Sequence, residues 1–209
     1  MQNARMSDVI PTLSLREADS TAFVRDLGAA YEQHGFVILT DHGMPQELID
    51  RFLGLYKTFF AWPEDAKRRY HVPGGGGARG YTPFGIDTAK GATHHDLKEF
   101  WHVGRELPEG HAYRKYMADN VWINELTGFR DTAIEMFETF DSTGRRILRA
   151  IAAILNLPAD FFEDKVQLGN SVLRVIHYPP MAAQPTERVR AGAHEDINVI
   201  TLLLGAEEP

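Results

Sequence analysis

Two amphipathic helices are predicted near the N-terminus. Apolar and aromatic side chains recur there at intervals of three and four, the spacing that places them on one face of a helix. In the first helix they are Phe23, Leu27, Ala30, Tyr31 and His34, and in the second they are Leu48, Ile49, Phe52, Tyr56 and Phe59. Asp19 or Ser20 can cap the first helix, Gly35 should end it, and Pro45 suits the first turn of the second.

Short strands are predicted around these helices. Residues 9–11 have the pattern of an edge strand that ends at a proline, and residues 36–39 form a compact apolar run typical of a buried strand. A short charged helix should begin at Pro63. Residues 80–109 are rich in glycine, proline, histidine and charge, so we expect mostly irregular structure there, with short strands near Phe100.

The second half of the chain changes from helical to strand-like character. Between residues 123 and 155 the apolar positions step by three and four, which predicts a long helix that could bend or break at Gly128 or Gly144. Residues 171–178 and 197–204 are then rich in β-branched and aliphatic side chains. These patterns predict an α+β fold whose sheet begins near residue 171.

Composition narrows the candidate functions. The 209 residues include 29 acidic and 22 basic side chains and carry a net charge of -7, which argues against a nucleic-acid partner. Cysteine is absent, so histidine, carboxylate or water must bind any metal. No apolar run is long enough to span a bilayer, and no signal peptide is recognisable at the start. We therefore expect a cytoplasmic protein that does not associate with membranes.

A histidine and an aspartate two positions apart are the candidate metal ligands. In an extended strand residues i and i+2 point to the same side, so His194 and Asp196 can present an imidazole and a carboxylate to one ion. Such a pair supplies two corners of the 2-His-1-carboxylate triad that binds non-haem iron(II). The same spacing recurs at His94 and Asp96, but that copy has no apolar strand on either side, so we assign it to surface structure.

The order of several short motifs resembles the isopenicillin-N-synthase-like branch of the 2-oxoglutarate/Fe(II) oxygenases. The matching segments are Ile10-Pro11, Gly35-Phe36, Asp41-His42-Gly43-Met44-Pro45, Phe59-Phe60 with Pro63 and Lys67, Gly80-Tyr81, Asp96-Leu97-Lys98-Glu99, Arg174 with Tyr178-Pro179-Pro180, and His194-x-Asp196 with Thr201-Leu202-Leu203. They follow the family's order across nearly the whole chain. Together they are far more specific than the histidine-aspartate pair alone.

The resemblance implies a fold and an activity. A helical N-terminal leader, residues 1–118, would pack on an incomplete double-stranded β-helix core related to the jelly roll. Residues 119–170 would be the long backbone helix and its connection, and residues 171–209 the first part of the core. The implied activity is oxidation of a small organic substrate with O2, Fe(II) and 2-oxoglutarate. Hydroxylation, desaturation and ring closure all remain open.

The resemblance also implies roles for individual residues. His194 and Asp196 correspond to the iron ligands, and Tyr178 matches a tyrosine that contacts the co-substrate in many relatives. The asparagine often found two residues before that tyrosine is Ile176 here. Arg174 lies on the same strand face as Tyr178 and is a second candidate contact for 2-oxoglutarate, although a structural salt bridge would explain it equally well.

The remaining motif residues have structural or peripheral interpretations. His42 is expected to hold its turn by hydrogen bonding. Trp101 and Tyr81 are candidates to border the substrate mouth. Asp96, Lys98 and Glu99 are expected to form local ion pairs that fix the leader, and each pair would contribute little to stability if it is exposed.

Two elements of the family pattern do not occur between Asp196 and Pro209. They are a second histidine, which completes the iron triad, and an Arg-x-Ser that binds 2-oxoglutarate. One explanation is a longer oxygenase, of which residues 1–209 alone would be inactive. The other is a non-enzymatic binding or structural module whose sheet is completed by a partner chain.

Overall fold

Helices predominate in the described part of the chain, and the strands there are short. The computed structural model describes residues 9–86, 97–180, 196 and 198–205. Within them lie five α-helices and five β-strands, the latter arranged in one sheet of two strands and one of three. This mixture agrees with the predicted α+β class. No helix in the described ranges is both long and apolar enough to cross a membrane.

The first compact unit comprises Met1–Pro45 and Asp141–Gly169. It contains the strands β1 (Thr12–Ser14) and β2 (Ile38–Thr40), which pair in parallel, and the helix α1 (Thr21–His34) that connects them. Parallel strands cannot be joined by a tight turn, so they need a long crossover connection, which α1 provides here.

Both ends of helix α1 form as predicted. The Ser20 hydroxyl accepts a hydrogen bond from the Phe23 amide at 3.1 Å, and Gly35 closes the helix with a left-handed φ of +70°. Phe23, Leu27 and Ala30 are buried. The predicted turn at His42 is also confirmed, because its Nδ1 accepts a hydrogen bond from the Met44 amide at 3.1 Å.

Two strand predictions in this unit are wrong in detail. The first strand begins at Thr12, after the proline, because Pro11 has no amide hydrogen and contributes only its carbonyl, which accepts from the Ile38 amide at 2.9 Å. The apolar run at residues 36–39 is not a buried strand. Phe36 is 61% exposed and Ile38 is 50% exposed, since β2 belongs to a sheet of only two strands.

The second compact unit comprises Gln46–Phe140 and Asn170–Pro209. Two helices precede a three-stranded antiparallel sheet in which β4 is central. The elements are α2 (Gln46–Phe60), α3 (Glu64–Arg68), β3 (Gly80–Thr82), β4 (Glu99–Gly104) and β5 (Val172–His177). The predicted apolar face of α2 is buried throughout, and β5 lies within the strand predicted at residues 171–178.

The long helix α4 (Phe129–Ile154) is shorter at its start than predicted. Gly128 adopts a left-handed φ of +76°, a conformation that cannot continue a right-handed helix. Ile123 therefore lies outside the helix, although it is buried. Gly144 remains inside the helix. The last helix is the short α5 (Glu163–Val166).

The second strand predicted for the C-terminal part is not formed in its described residues. Residues 198–205 adopt bends and irregular structure, with Val199 and Leu203 exposed by 67% and 82%. A strand needs a neighbour to accept and donate its backbone hydrogen bonds. None of the five described strands pairs with this run, so β propensity alone does not produce a strand there.

Candidate active site

The candidate active site is built on the paired strands β4 and β5. Glu99 lies opposite His177, and Gly104 lies opposite Val172. Because successive side chains point to opposite sides of a sheet, the pair has two faces. We name them the core face (Glu99, Trp101, Val103, Leu173, Val175 and His177) and the arginine face (Phe100, His102, Gly104, Val172, Arg174 and Ile176).

The core face packs on aromatic side chains from the helices. The Trp101 ring lies 5.0 Å from that of Phe59 and 5.4 Å from that of Phe129, and Tyr81 lies 5.5 Å from Phe59. Trp101 and Tyr81 are both fully buried. The expectation that they border a substrate mouth is therefore wrong, because the strand register turns both side chains towards the core.

A buried polar cluster surrounds the carboxylate of Glu99. Lys67 Nζ donates to both Glu99 oxygens, at 2.8 and 2.7 Å, and His177 Nδ1 lies 2.8 Å from Oε1. The Tyr81 hydroxyl also donates to this carboxylate. Burial, and then the hydrogen bond to Glu99, raise the pKa of Tyr81 far above its usual range. We call these four residues the Glu99 cluster.

The Glu99 cluster overturns the expectation that Glu99 forms a local ion pair. Glu99 is only 1% exposed, Lys98 is also buried, and the partner of Glu99 is Lys67 on α3. The error has a structural cause, since spacing within a short motif does not report which strand face a carboxylate occupies. Asp96 lies outside the described residues.

Arg174 lies on the arginine face and is exposed to solvent. Its Nε donates a hydrogen bond to His102 Nε2 at 2.5 Å, and its guanidinium lies 4.6 Å from the centre of the Phe100 ring. No carboxylate among the described residues pairs with it. The alternative of a structural salt bridge therefore finds no support in the part of the chain that the structure describes.

His102 is held on its other side by a loop that contains four consecutive glycines, residues 74–77. Its Nδ1 lies 2.6 Å from the carbonyl oxygen of Gly77, and the ring packs 4.7 Å from that of Phe100. His102 and Glu99 were not predicted as site residues. The available signal was that both are polar residues within an otherwise apolar strand (Glu99–Gly104).

A second arginine, Arg79, is buried against the same face. Its Nη2 donates to Asn170 Oδ1 at 3.0 Å and its Nη1 to the Ala78 carbonyl at 2.6 Å. Burial lowers the pKa of Arg79. A methyl group at Gly104 would lie 2.0 Å from the guanidinium, so the absence of a side chain at that position makes room for Arg79.

Only some of the predicted site residues lie in the described part of the chain. Tyr178 directly follows the last residue of β5 and is half-buried, on the same side of the chain as Ile176 and Arg174 by the alternation of the strand. Asp196 is exposed, and its carboxylate accepts a hydrogen bond from the Thr201 hydroxyl. His194 lies outside the described residues.

Metal ligands are correspondingly sparse in the described ranges. His94 and Asp96, the second copy of the histidine-aspartate spacing, also lie outside them. Among residues 9–86, 97–180, 196 and 198–205, no three His, Cys, Asp or Glu side chains are grouped so that they could hold a metal ion.

Comparison with known proteins identifies the family. Residues 10–125 match the family described as "non-haem dioxygenase in morphine synthesis N-terminal". This match covers more than half of the 209 residues, and the chain therefore belongs to that family of non-haem dioxygenases. The resemblance to 2-oxoglutarate/Fe(II) oxygenases is confirmed at the level of the family.

Two named relatives align with most of the chain. It is 28% identical over 209 residues to the 2-oxoglutarate-Fe(II) type oxidoreductase hxnY of Emericella nidulans, covering 96% of this chain and 60% of that protein. It is 32% identical over 186 residues to kihadalactone A synthase LFS of Citrus sinensis, covering 85% of this chain and 55% of that protein. The chain thus spans 55 to 60% of the length of these two relatives.

Solved structures agree with this assignment. A Caulobacter crescentus protein described as a member of the 2OG-Fe(II) oxygenase family is 48% identical, with a TM-score of 0.80 over 92% of this chain and 62% of that one. A full-length Neurospora crassa protein, solved in complex with alpha-KG, gives a TM-score of 0.73 over 92% of this chain and 63% of its own at 22% identity. The latter likeness shows a common fold.

Proposed function

We propose that the protein is a non-haem iron(II) oxygenase that oxidises a small organic substrate with O2 and 2-oxoglutarate. The observation that carries the proposal is the family match over residues 10–125, which is followed along the chain by Tyr178-Pro179-Pro180 and the pair His194 and Asp196. Hydroxylation, desaturation and ring closure are the outcomes open to such an enzyme. The same proposal includes a helical leader at residues 1–118, a long helix and its connection at 119–170, and the first part of a double-stranded β-helix core at 171–209. It also includes a cytoplasmic location.

Iron(II) would be held by His194 and Asp196. One imidazole and one carboxylate fit this ion, because it accepts nitrogen and oxygen donors and because the cysteine-free chain offers no thiolate. Asp196 is exposed in the described part of the chain, so an ion from solvent can reach its carboxylate. When bound, the metal would supply the activation of O2 and a coordination site for the co-substrate.

Arg174 and Tyr178 would bind 2-oxoglutarate. A guanidinium matches a carboxylate with two parallel hydrogen bonds, and a phenol can donate a third. The support for Arg174 is its exposure and its charge, which no carboxylate of the described residues neutralises. Tyr178 directly follows the same strand, so both side chains can serve one ligand.

A second candidate is a non-enzymatic module whose sheet a partner chain completes. It is favoured by the exposed apolar side chains of β5, where Val172 and Ile176 are 43% and 38% exposed. Strand β5 is also an edge strand of the described sheet.

Co-substrate turnover by the full-length gene product separates the two candidates. The purified protein is supplied anaerobically with Fe(II) and 2-oxoglutarate, O2 is then admitted, and succinate is measured against O2 consumed. The oxygenase releases succinate only when both iron and O2 are present. A full-length protein that binds neither iron nor 2-oxoglutarate would leave the partner-completed module as the better account.

A further inference from the structure

The guanidinium of Arg174 is fixed in place by groups that leave its charge intact. It donates to the ring nitrogen of His102 and lies over the Phe100 ring, and neither contact supplies a negative charge. A free arginine side chain loses considerable rotamer entropy when it is ordered by a ligand. An arginine that is already ordered and not neutralised avoids part of that loss when it binds an anion.

The two ring contacts of His102 require a single tautomer. Nε of Arg174 can only donate, so His102 Nε2 must accept and cannot carry a hydrogen. The hydrogen must then be on Nδ1, which donates it to the carbonyl oxygen of Gly77 at 2.6 Å. The hydrogen bonds therefore run in one direction, from Arg174 through His102 to Gly77.

The carbonyl at the end of this chain is itself constrained. Gly77 has a left-handed φ of +70°, and a Cβ there would lie 3.0 Å from Thr82 Oγ1 and 3.7 Å from Phe100 Cζ. The loop residue is therefore packed against β3 and against β4, the strand that carries His102. His102 is 7% exposed, which keeps its ring from moving freely.

We propose that His102 is a positioning residue that holds Arg174 ready to bind a carboxylate of the co-substrate. The proposal rests on the function proposed above, in which that co-substrate is 2-oxoglutarate. His102 does not touch the ligand in this arrangement. It acts through its Nε2, which sets the direction of the Arg174 Nε–H bond and thereby the plane of the guanidinium.

Two substitutions separate the two ends of the His102 ring. The amide of an asparagine reaches about as far as Nδ1, so His102→Asn keeps a donor to Gly77 and loses the acceptor for Arg174. The amide oxygen of a glutamine reaches about as far as Nε2, so His102→Gln keeps the acceptor and loses the donor. A purely structural role of the loop contact would make the glutamine variant the worse of the two.

The expected result is a split between KM and kcat in the full-length enzyme. His102→Asn raises the KM for 2-oxoglutarate about tenfold, and kcat at saturating co-substrate stays within about twofold. His102→Gln restores most of the lost affinity. An unchanged KM in His102→Asn would overturn the proposal, and so would an equal loss in both variants, since that result would indicate packing alone.

The imidazole nitrogen signals of His102 test the contact without any turnover. In the 209-residue chain labelled with 15N, His102 should carry its hydrogen on Nδ1, and Arg174→Ala should shift the Nε2 signal. A hydrogen on Nε2 would overturn the proposal. If the wild-type enzyme does not use 2-oxoglutarate, the proposed function fails. The Nδ1–H signature would then still support His102 as the residue that positions Arg174 for another carboxylate ligand.

Discussion

The two faces of the β4–β5 pair differ in the burial and pairing of their charged side chains. On the core face, the Glu99 carboxylate is buried and receives hydrogen bonds from Lys67 and Tyr81, with His177 beside it. On the arginine face, Arg174 is exposed and ordered by uncharged groups. A buried charge with an ion-pair partner supports the fold, whereas an ordered charge that no carboxylate of the described residues neutralises is suited to binding a ligand.

The largest expected effect is on the core face. Glu99→Gln leaves the Lys67 ammonium buried without a counter-charge, which should lower the free energy of unfolding of the 209-residue chain by about 3–5 kcal/mol. The double variant Glu99→Gln/Lys67→Met removes that orphaned charge and should recover at least half of the loss. Chemical denaturation followed by circular dichroism measures both. A loss below about 1 kcal/mol in the single variant would mean that the cluster is not a structural element.

A smaller effect is expected at Gly104 on the arginine face. A methyl group there must displace the buried Arg79 guanidinium, so Gly104→Ala should lower the free energy of unfolding by about 1–3 kcal/mol. Gly54 is the matched control, since it lies inside helix α2 with no atom within 4 Å of its added Cβ. Gly54→Ala should be stabilising by up to about 1 kcal/mol. Equal effects of the two substitutions would contradict the packing of Arg79 on Gly104.

The raised pKa of Tyr81 predicts that the protein loses stability at alkaline pH. The unfolded chain releases the Tyr81 proton near pH 10, whereas the folded chain retains it, so stability falls as pH rises above about 10. At pH 11 the loss is about 1.4 kcal/mol for this one group. Denaturation curves at pH 8 and pH 11 should show a smaller difference in Tyr81→Phe than in the wild type. An identical difference in the two proteins would show that Tyr81 ionises alike in both states.

Arg174→Ala should have the smallest effect on stability. The side chain is exposed and makes no ion pair with the described residues, but its removal leaves the buried His102 Nε2 without this donor, so the free energy of unfolding should fall by about 1 kcal/mol. The affinity of the full-length protein for 2-oxoglutarate should nevertheless fall, which calorimetric titration can measure. A large loss of stability with unchanged affinity would reverse the distinction between the two faces.

Sequence patterns predicted the parts of the fold that depend on local signals. The cap at Ser20, the left-handed stop at Gly35 and the buried face of α2 all follow from residues a few positions apart. The predictions that failed depend on contacts between residues far apart in the sequence. Whether Trp101 and Glu99 face a core depends on the pairing of β4 with β3 and β5, and spacing along the chain does not report that register.

The candidate site was predictable to a similar degree. The β-rich run before Tyr178 indicated a strand with Arg174 and Tyr178 on one face, and the structure contains that strand. The partner of Arg174 was not predictable, because His102 is 72 positions away in sequence. Residues 198–205 show that a local signal can also mislead. Their β propensity is high, but they do not form a strand, because none of the described strands pairs with them.

Iron binding by variants of the two histidine-aspartate pairs tests whether His194 and Asp196 are the metal ligands. In the full-length gene product, His194→Ala and Asp196→Ala should each abolish Fe(II)-dependent succinate release and weaken iron binding, because each removes a proposed ligand. His94→Ala is the matched control and should bind iron and turn over as the wild type does. A loss of iron binding in His94→Ala equal to that in His194→Ala would contradict the assignment of the metal site.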